Sequence, residues 1–264
     1  MIGQELILNK LKSFMINTLP KNIMLLGPSG AGKHLIAKEL SNYYGMGLIE
    51  LSGQDFDFER LTEIQQSVLD SFYLINLDTF NLKVQNKFLK FIEEPSLHVF
   101  IIIIASSENV VLPTILNRCL KYKLAEYTPE QLRQIKNFNN ELIYKVCKTP
   151  GQLENIDEKQ FSRLYDFCTN LIINANKLPI EQLFKASTYI NCGEDYNKFD
   201  FDMFFNMLTY LAMKHFIDTN EKQSYQIYLF TAKYFQNLLY NNTLSKENIL
   251  LNYFSRLNHE LKAV

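Results

Sequence analysis

Apolar residues recur along this chain with two different periods, and the mixture changes near residue 125. Three short unbroken apolar runs stand out in the first half, residues 23–26, 72–75 and 99–104, and two further strand candidates, 48–51 and 120–124, are interrupted by Glu50 and by Lys121 and Lys123. Runs of four to six apolar residues bounded by turn-forming segments predict buried strands. The run at 99–104 is the most hydrophobic stretch, as a central strand covered on both faces requires. Between the runs the spacing turns helical. Ile7, Leu11, Phe14 and Met15 share one face before Pro20. Ile36, Leu40 and Tyr43 do so after Lys33, with Gly45 as a C-terminal stop. Phe58, Leu61, Ile64 and Val68 form a third stripe that Asp57 can cap. Val84, Phe88, Phe91 and Ile92 form a fourth, ended before Pro95. A short helix is predicted over 114–118. Strands alternating with helices predict an α/β fold, a parallel sheet with helices on both faces.

From Thr128 onward only helical periodicity remains. Thr128 and Pro129 read as an N-cap and a first helical residue. Further helices are predicted near 159–175, 180–190, 200–217, 222–242 and 245–262, with Gly151, Pro179 and Gly193 as breaks. The expected domains are therefore 1–125 (α/β), 126–158 (a small helical segment) and 159–264 (all-helical).

Composition narrows the function classes. At 264 residues with 47% hydrophobic content, a packed core in two or three small domains is expected. The formal charge of -1 argues against a broad basic face for nucleic acid, so such contacts are expected to be local or made within an assembly. Cys119, Cys147, Cys168 and Cys192 form no C-x-x-C pair, so neither zinc nor a disulfide framework is expected. That usage, the absence of a signal-peptide pattern and the shortness of the longest apolar run point to a cytosolic protein without a membrane span.

One motif carries chemistry. Gly27-Pro28-Ser29-Gly30-Ala31-Gly32-Lys33-His34 follows a strand and opens a helix. Glycines in a G-x-x-x-x-G-K loop let successive backbone N–H groups face one anion, the helix adds its positive dipole end, and Lys33 adds a charge for phosphate. The next position ordinarily holds the Ser or Thr that binds Mg²⁺; here it is His34, and imidazole is a poor ligand for that hard ion. A phosphate of ATP or ADP is expected to fit the loop, but a well-positioned Mg–ATP is not. With no carboxylate or Cys partner evident along the sequence, His34 reads as an exposed polar residue.

Four segments together resemble bacterial DNA polymerase III clamp-loader subunits of the gamma and delta-prime family. They are Ile2-Gly3-Gln4, like the "IGQ" box; residues 27–33, the P-loop; the segment Asn86 through Pro95, like "NALLKTLEEP"; and the segment Leu112 through Cys119, like "LPTILSRC". The resemblance covers about residues 1–155. It implies an AAA+ P-loop domain, a helical lid and an all-helical collar that mediates oligomerisation.

It also implies roles and losses. The acidic pair that family ATPases hold at the end of the third strand falls on Ile75 and Asn76, with Asp78 close by. The sensor after the fourth strand falls on Ser106 or Ser107. The second-sensor Arg position, in Thr149-Pro150-Gly151-Gln152-Leu153-Glu154, is occupied by Glu154. Arg118, one of five arginines, stands where the family projects an arginine finger onto a neighbour's ATP. Asn117 replaces the family Ser, and the four-Cys zinc module is missing. The combination resembles delta-prime: a subunit that does not itself hydrolyse ATP, joined to other clamp-loader subunits, a sliding clamp and primer-template DNA. The alternatives are an active gamma-like ATPase using Lys33 and Asp78, and a free-standing helicase-loader-type DNA-binding module.

Overall fold

The computed structural model describes residues 2–51, 57–174, 201–238 and 246–262. The chain divides into two compact units. The first comprises 1–135 with 149–151, and the second 136–148 with 152–264. The expected lid segment, 126–158, is thus shared between the two.

The first unit is built on five parallel strands: β1 (Asn22–Leu26), β2 (Gly47–Leu51), β3 (Ser71–Asn76), β4 (Val99–Ala105) and β5 (Leu120–Lys123), in the order β2-β3-β4-β1-β5. All seven residues of β4 are buried, as the unbroken apolar run requires. Its residues alternate between two cores. Val99, Ile101, Ile103 and Ala105 face one helical layer with Met24, Tyr73 and Ile75. Phe100, Ile102 and Ile104 face the other with Ile23, Leu25, Phe72 and Leu74. Leu8 and Leu11 of α1 (Glu5–Lys12) and Ile36, Ala37 and Leu40 of α2 (Lys33–Tyr44) close the second face. The first is closed by Leu61 and Ile64 of α3 (Arg60–Gln65), by Phe91 and Ile92 of the helical segment described next, and by Ile115 of α6 (Pro113–Leu116). A five-stranded parallel α/β sheet with helices on both faces is therefore the architecture.

Local differences from the expected pattern have physical reasons. The stripe through Ile7 and Leu11 stops at Lys12, so Met15 lies outside the helix and is exposed. Asp57 acts one turn early: its carboxylate accepts the backbone N–H of Glu59 in the turn that leads into α3, whose own N-cap is Glu59, and Val68, beyond the end of α3, is exposed. The expected single helix before Pro95 is α4 (Leu82–Gln85), a 3-10 turn (Asn86–Phe88) and α5 (Leu89–Glu93). It still buries Phe88, Phe91 and Ile92. Thr128 does cap α7 (Pro129–Ile135): its Oγ1 accepts from Gln131 N–H, and Gln131 Oε1 accepts from Thr128 N–H.

In the second unit α8 (Glu141–Val146) precedes α9 (Pro150–Glu154), whose first residues belong to the first unit. Long helices follow: α10 (Glu158–Asn174), α11 (Phe201–Thr219), α12 (Lys222–Leu238) and α13 (Lys246–Lys262). The helix expected near 180–190 and Cys192 lie outside the described residues. Phe204, Phe205, Tyr253 and Phe254 are fully buried and pack edge-on or tilted with ring centroids 5.0–6.2 Å apart. Phe235 stacks on Phe205 at 5.1 Å. The buried Tyr253 hydroxyl is paired with Thr231 Oγ1 at 2.7 Å, which spares the core an unsatisfied polar group.

Candidate functional site

The P-loop lies between the end of β1 and the start of α2. Gly27 N–H continues the sheet ladder by donating to Ala105 carbonyl at 3.1 Å. Gly30 and Gly32 have φ of +75° and +95°, a conformation that side-chain-bearing residues adopt only at a cost. Pro28, Ser29 and Gly30 are exposed, while Ala31 and Lys33 are buried. Lys33 Nζ donates to the carbonyls of Gly27 and of Pro28, the latter at 2.8 Å. Its pKa is lowered by burial, and Asp78 partly offsets this.

A second backbone closes on the loop. Gly151 N–H donates to Gly30 carbonyl at 3.1 Å. The two glycines approach so closely that a Cβ on Gly151 would lie 2.6 Å from Gly30 Cα. Glu154, at the second-sensor position three residues on, is exposed.

The "IGQ" residues tie the same region together, a role the motif alone does not disclose. The buried Gln4 amide donates to Ala125 carbonyl at 2.8 Å and accepts Ala125 N–H at 3.2 Å. Gly3 leaves no room for a Cβ against the Tyr127 ring, 2.6 Å away. Tyr127 in turn donates to Ala31 carbonyl in the P-loop at 3.1 Å.

His34 is exposed, as expected, but it has a carboxylate partner: Glu50 Oε1 of β2 is 3.5 Å from its Nε2. The sheet brings together two residues that the linear sequence keeps apart. At the end of β3, Ile75 is fully buried and Asn76 caps the following turn, accepting Asp78 N–H. Asp78 does more than cap: its Oδ1 accepts both the N–H (2.9 Å) and the hydroxyl (2.8 Å) of Ser106. Of the two sensor candidates, Ser106 is thus engaged, whereas the buried Ser107 Oγ has no hydrogen-bond partner among the described residues. The loop geometry suits a phosphate, since Gly30 and Gly32 supply the curl and Lys33 the charge. It does not suit the usual Mg²⁺ arrangement, because His34 brings no hydroxyl. Among the described residues no group of three or more His, Cys, Asp or Glu is placed to hold a metal ion.

Arg118 follows α6. Its Nη2 donates to Glu93 Oε1 at 2.6 Å and its Nη1 to Thr114 carbonyl at 2.9 Å; about a third of the side chain is exposed. Asn22 at the start of β1 fixes both segments from below. Its Nδ2 donates to Ile92 carbonyl at 2.8 Å and to Arg118 carbonyl at 3.2 Å. Gln85, nearly fully buried at the end of α4, ties the chain at Phe80 to the stretch leading into α6, donating to Phe80 and Val110 carbonyls and accepting Leu112 N–H. Cys119 is largely buried, which pushes its thiol up to about 12.

Residues 59–128 match the protein family described as DNA polymerase III, delta subunit. That stretch contains Asp78, Glu93, Ser106 and Arg118 but not the P-loop. Among curated relatives, an uncharacterised protein of Mycoplasma pneumoniae is 29% identical over 119 residues, 45% of this chain and 47% of that protein. The replication factor C large subunit of Methanococcus aeolicus is 38% identical over 52 residues, 20% of this chain and 11% of the relative. The matches therefore span less than half the length of these relatives. Among solved structures, a DNA polymerase III gamma subunit-related protein of Thermotoga maritima overlays with a TM-score of 0.43 at 14% identity, covering 96% of this chain and 99% of that one. The Thermotoga maritima RuvB Holliday junction branch migration motor overlays at 0.49 and 18% identity, covering 82% and 76%. The two most distinctive sequence segments meet at Arg118 and Glu93, while the P-loop is bound up with residues 3–4, 125–127 and 149–151.

Proposed function

We propose that this chain is a delta-prime-like clamp-loader subunit that does not hydrolyse ATP and that lends Arg118 to the nucleotide of a neighbouring subunit. The observation that carries this reading is the end of β3. Where a hydrolysing site needs one carboxylate to organise Mg²⁺ and another to activate water, the chain has a buried Ile75 and a turn-capping Asn76. Phosphoryl transfer depends almost entirely on such positioning and charge stabilisation. His34 in place of a hydroxyl and Glu154 in place of a cation weaken the site further. Residues 27–33 would hold phosphate as an inherited cradle that shapes the subunit.

Arg118 supports the positive half of the reading. Its guanidinium is partly exposed, and its present partner is an exposed carboxylate. An ion pair of that kind is worth only about 0–1 kcal/mol, so exchanging Glu93 for a developing phosphoryl charge costs little. A finger supplied in trans contributes roughly 10³ to 10⁵ in rate in other systems. The partners would be other clamp-loader subunits, with the sliding clamp and primer-template DNA reached through the assembly.

A second reading, an active gamma-like ATPase, draws on one observation: burial lowers the Lys33 pKa, Asp78 lies close enough to offset part of that lowering, and Asp78 also holds Ser106. Turnover by the isolated chain separates the two. The proposal expects no ATPase above background in either the wild type or the Lys33→Ala variant. Robust turnover abolished by Lys33→Ala and by Asp78→Asn would establish the gamma-like reading instead.

A further inference from the structure

The helical unit holds a groove that the clamp-loader reading does not use. Lys145 of α8, Lys148 just beyond it, Tyr210 and Lys214 of α11 and Tyr228 of α12 surround a cavity of about 410 Å³. Tyr210 and Lys214 are four residues apart on one face of α11, and the half-buried Met213 and the exposed Ile217 repeat that spacing and add apolar surface to the lining. Lys145 Nζ stands 5.7 Å from the Tyr210 ring centroid, a cation over an aromatic face. No carboxylate of a described residue lines the groove. None of the three lysines lies within 4.0 Å of a carboxylate of a described residue. In a chain whose formal charge is -1, three lysines converging without acids constitute a local concentration of positive charge.

We infer that this groove binds single-stranded nucleic acid, taking one unpaired base against Tyr210 and Tyr228 with its flanking phosphates on Lys145, Lys148 and Lys214. The volume lies within the range of small-molecule pockets, about 300–1,000 Å³, and at its lower end, where one nucleotide fits and a duplex does not. Aromatic side chains flanked by lysines are what sequence-tolerant single-strand binding requires, because every base offers a π-face and every linkage a charge. A duplex keeps its bases stacked on one another and leaves the tyrosine faces unused. An acidic peptide would satisfy the lysines but offers no flat apolar surface to the tyrosines and to Met213 and Ile217. The site lies wholly within the second unit and depends neither on the P-loop nor on Arg118.

The test is fluorescence anisotropy of the full chain with a labelled thymidine oligonucleotide about ten nucleotides long, beside the same length of duplex and a labelled glutamate-rich peptide. The single strand is expected to bind best. Lys145→Glu combined with Lys214→Glu is expected to raise its Kd at least about tenfold and to flatten the salt dependence by about 0.7 per lost phosphate contact. Tyr210→Leu is expected to weaken binding at every salt concentration without changing that slope. Thermal melting confirms that each variant is folded, and Lys145→Gln with Lys214→Gln repeats the charge test more gently. Absence of binding, equal affinity for duplex, or a Kd unmoved by the lysine substitutions would overturn the assignment. Tighter binding of the peptide, lost on the same lysine substitutions, would replace it with a protein-docking site. Neither result bears on ATP turnover, so failure here is distinguishable from failure of the clamp-loader reading.

Discussion

Arg118 and Glu93 are joined by a 2.6 Å ion pair that spans 25 residues of sequence and links the two most family-like segments of the chain. The carboxylate holds the guanidinium at the surface in a defined orientation, with Thr114 carbonyl as a second acceptor. Because both partners are substantially exposed, the pair positions Arg118 more than it stabilises the fold.

Glu93→Gln therefore has a specific signature. Stability in chemical denaturation is expected to change by no more than about 0.5 kcal/mol. In an assembled loader the ATPase rate is expected to be retained or raised, because Arg118 is released toward its neighbour's nucleotide. A loss of several kcal/mol would show that the pair is structural.

Gly151 is expected to tolerate no side chain. A Cβ there would meet Gly30 Cα at 2.6 Å, and both atoms belong to backbone that cannot swing aside. Gly151→Ala is expected to cost about 1–3 kcal/mol, as overpacking does elsewhere, and to break the Gly151 N–H to Gly30 carbonyl bond. Gly47→Ala is the control: its added Cβ would meet only Ser71 Oγ, at an ordinary 3.5 Å. Equal melting temperatures for the two variants would contradict the close approach.

Cys119 gives a pH signature with a definite sign. Burial raises its thiol from 9.0 to about 12, so the fold favours the protonated form. Its contribution is fully present below pH 9 and is lost as pH rises from 9 toward 12. Between pH 8 and pH 10.5 the wild type is expected to lose about 2 kcal/mol more stability than Cys119→Ala, since each pKa unit corresponds to about 1.4 kcal/mol. In the native protein at pH 8, alkylation of Cys119 is expected to be slow compared with the unfolded chain. Parallel pH profiles for the two proteins would mean that the thiol is solvated.

The sheet was legible because its signal is local. An uninterrupted run such as 99–104 has few alternatives, and the glycines of 27–33 announce their own conformation. Met15 and Val68 were misplaced because periodicity does not reveal where a helix stops; both lie just past the last turn of their helices. The site was legible only in part. The P-loop, Arg118 and the missing acids could be read along the chain. The pairing of His34 with Glu50, of Asp78 with Ser106 and of Gly30 with Gly151 could not, because each depends on strands or segments that meet only after folding. Gln4, Asn22 and Gln85 are the clearest omissions in role. As amides they bond backbone groups from distant segments, and nothing in their local sequence marks them for that work.

The central claim rests on Arg118 acting across a subunit boundary. Its most direct test is the DNA-dependent ATPase rate of the loader assembled with Arg118→Ala, with co-elution of all subunits as the check on assembly. The rate at the neighbouring site is expected to fall by at least about tenfold, below the 10³ to 10⁵ of isolated fingers where other sites in the assembly still turn over, while the complex stays intact. An intact complex with an unchanged rate would contradict the account.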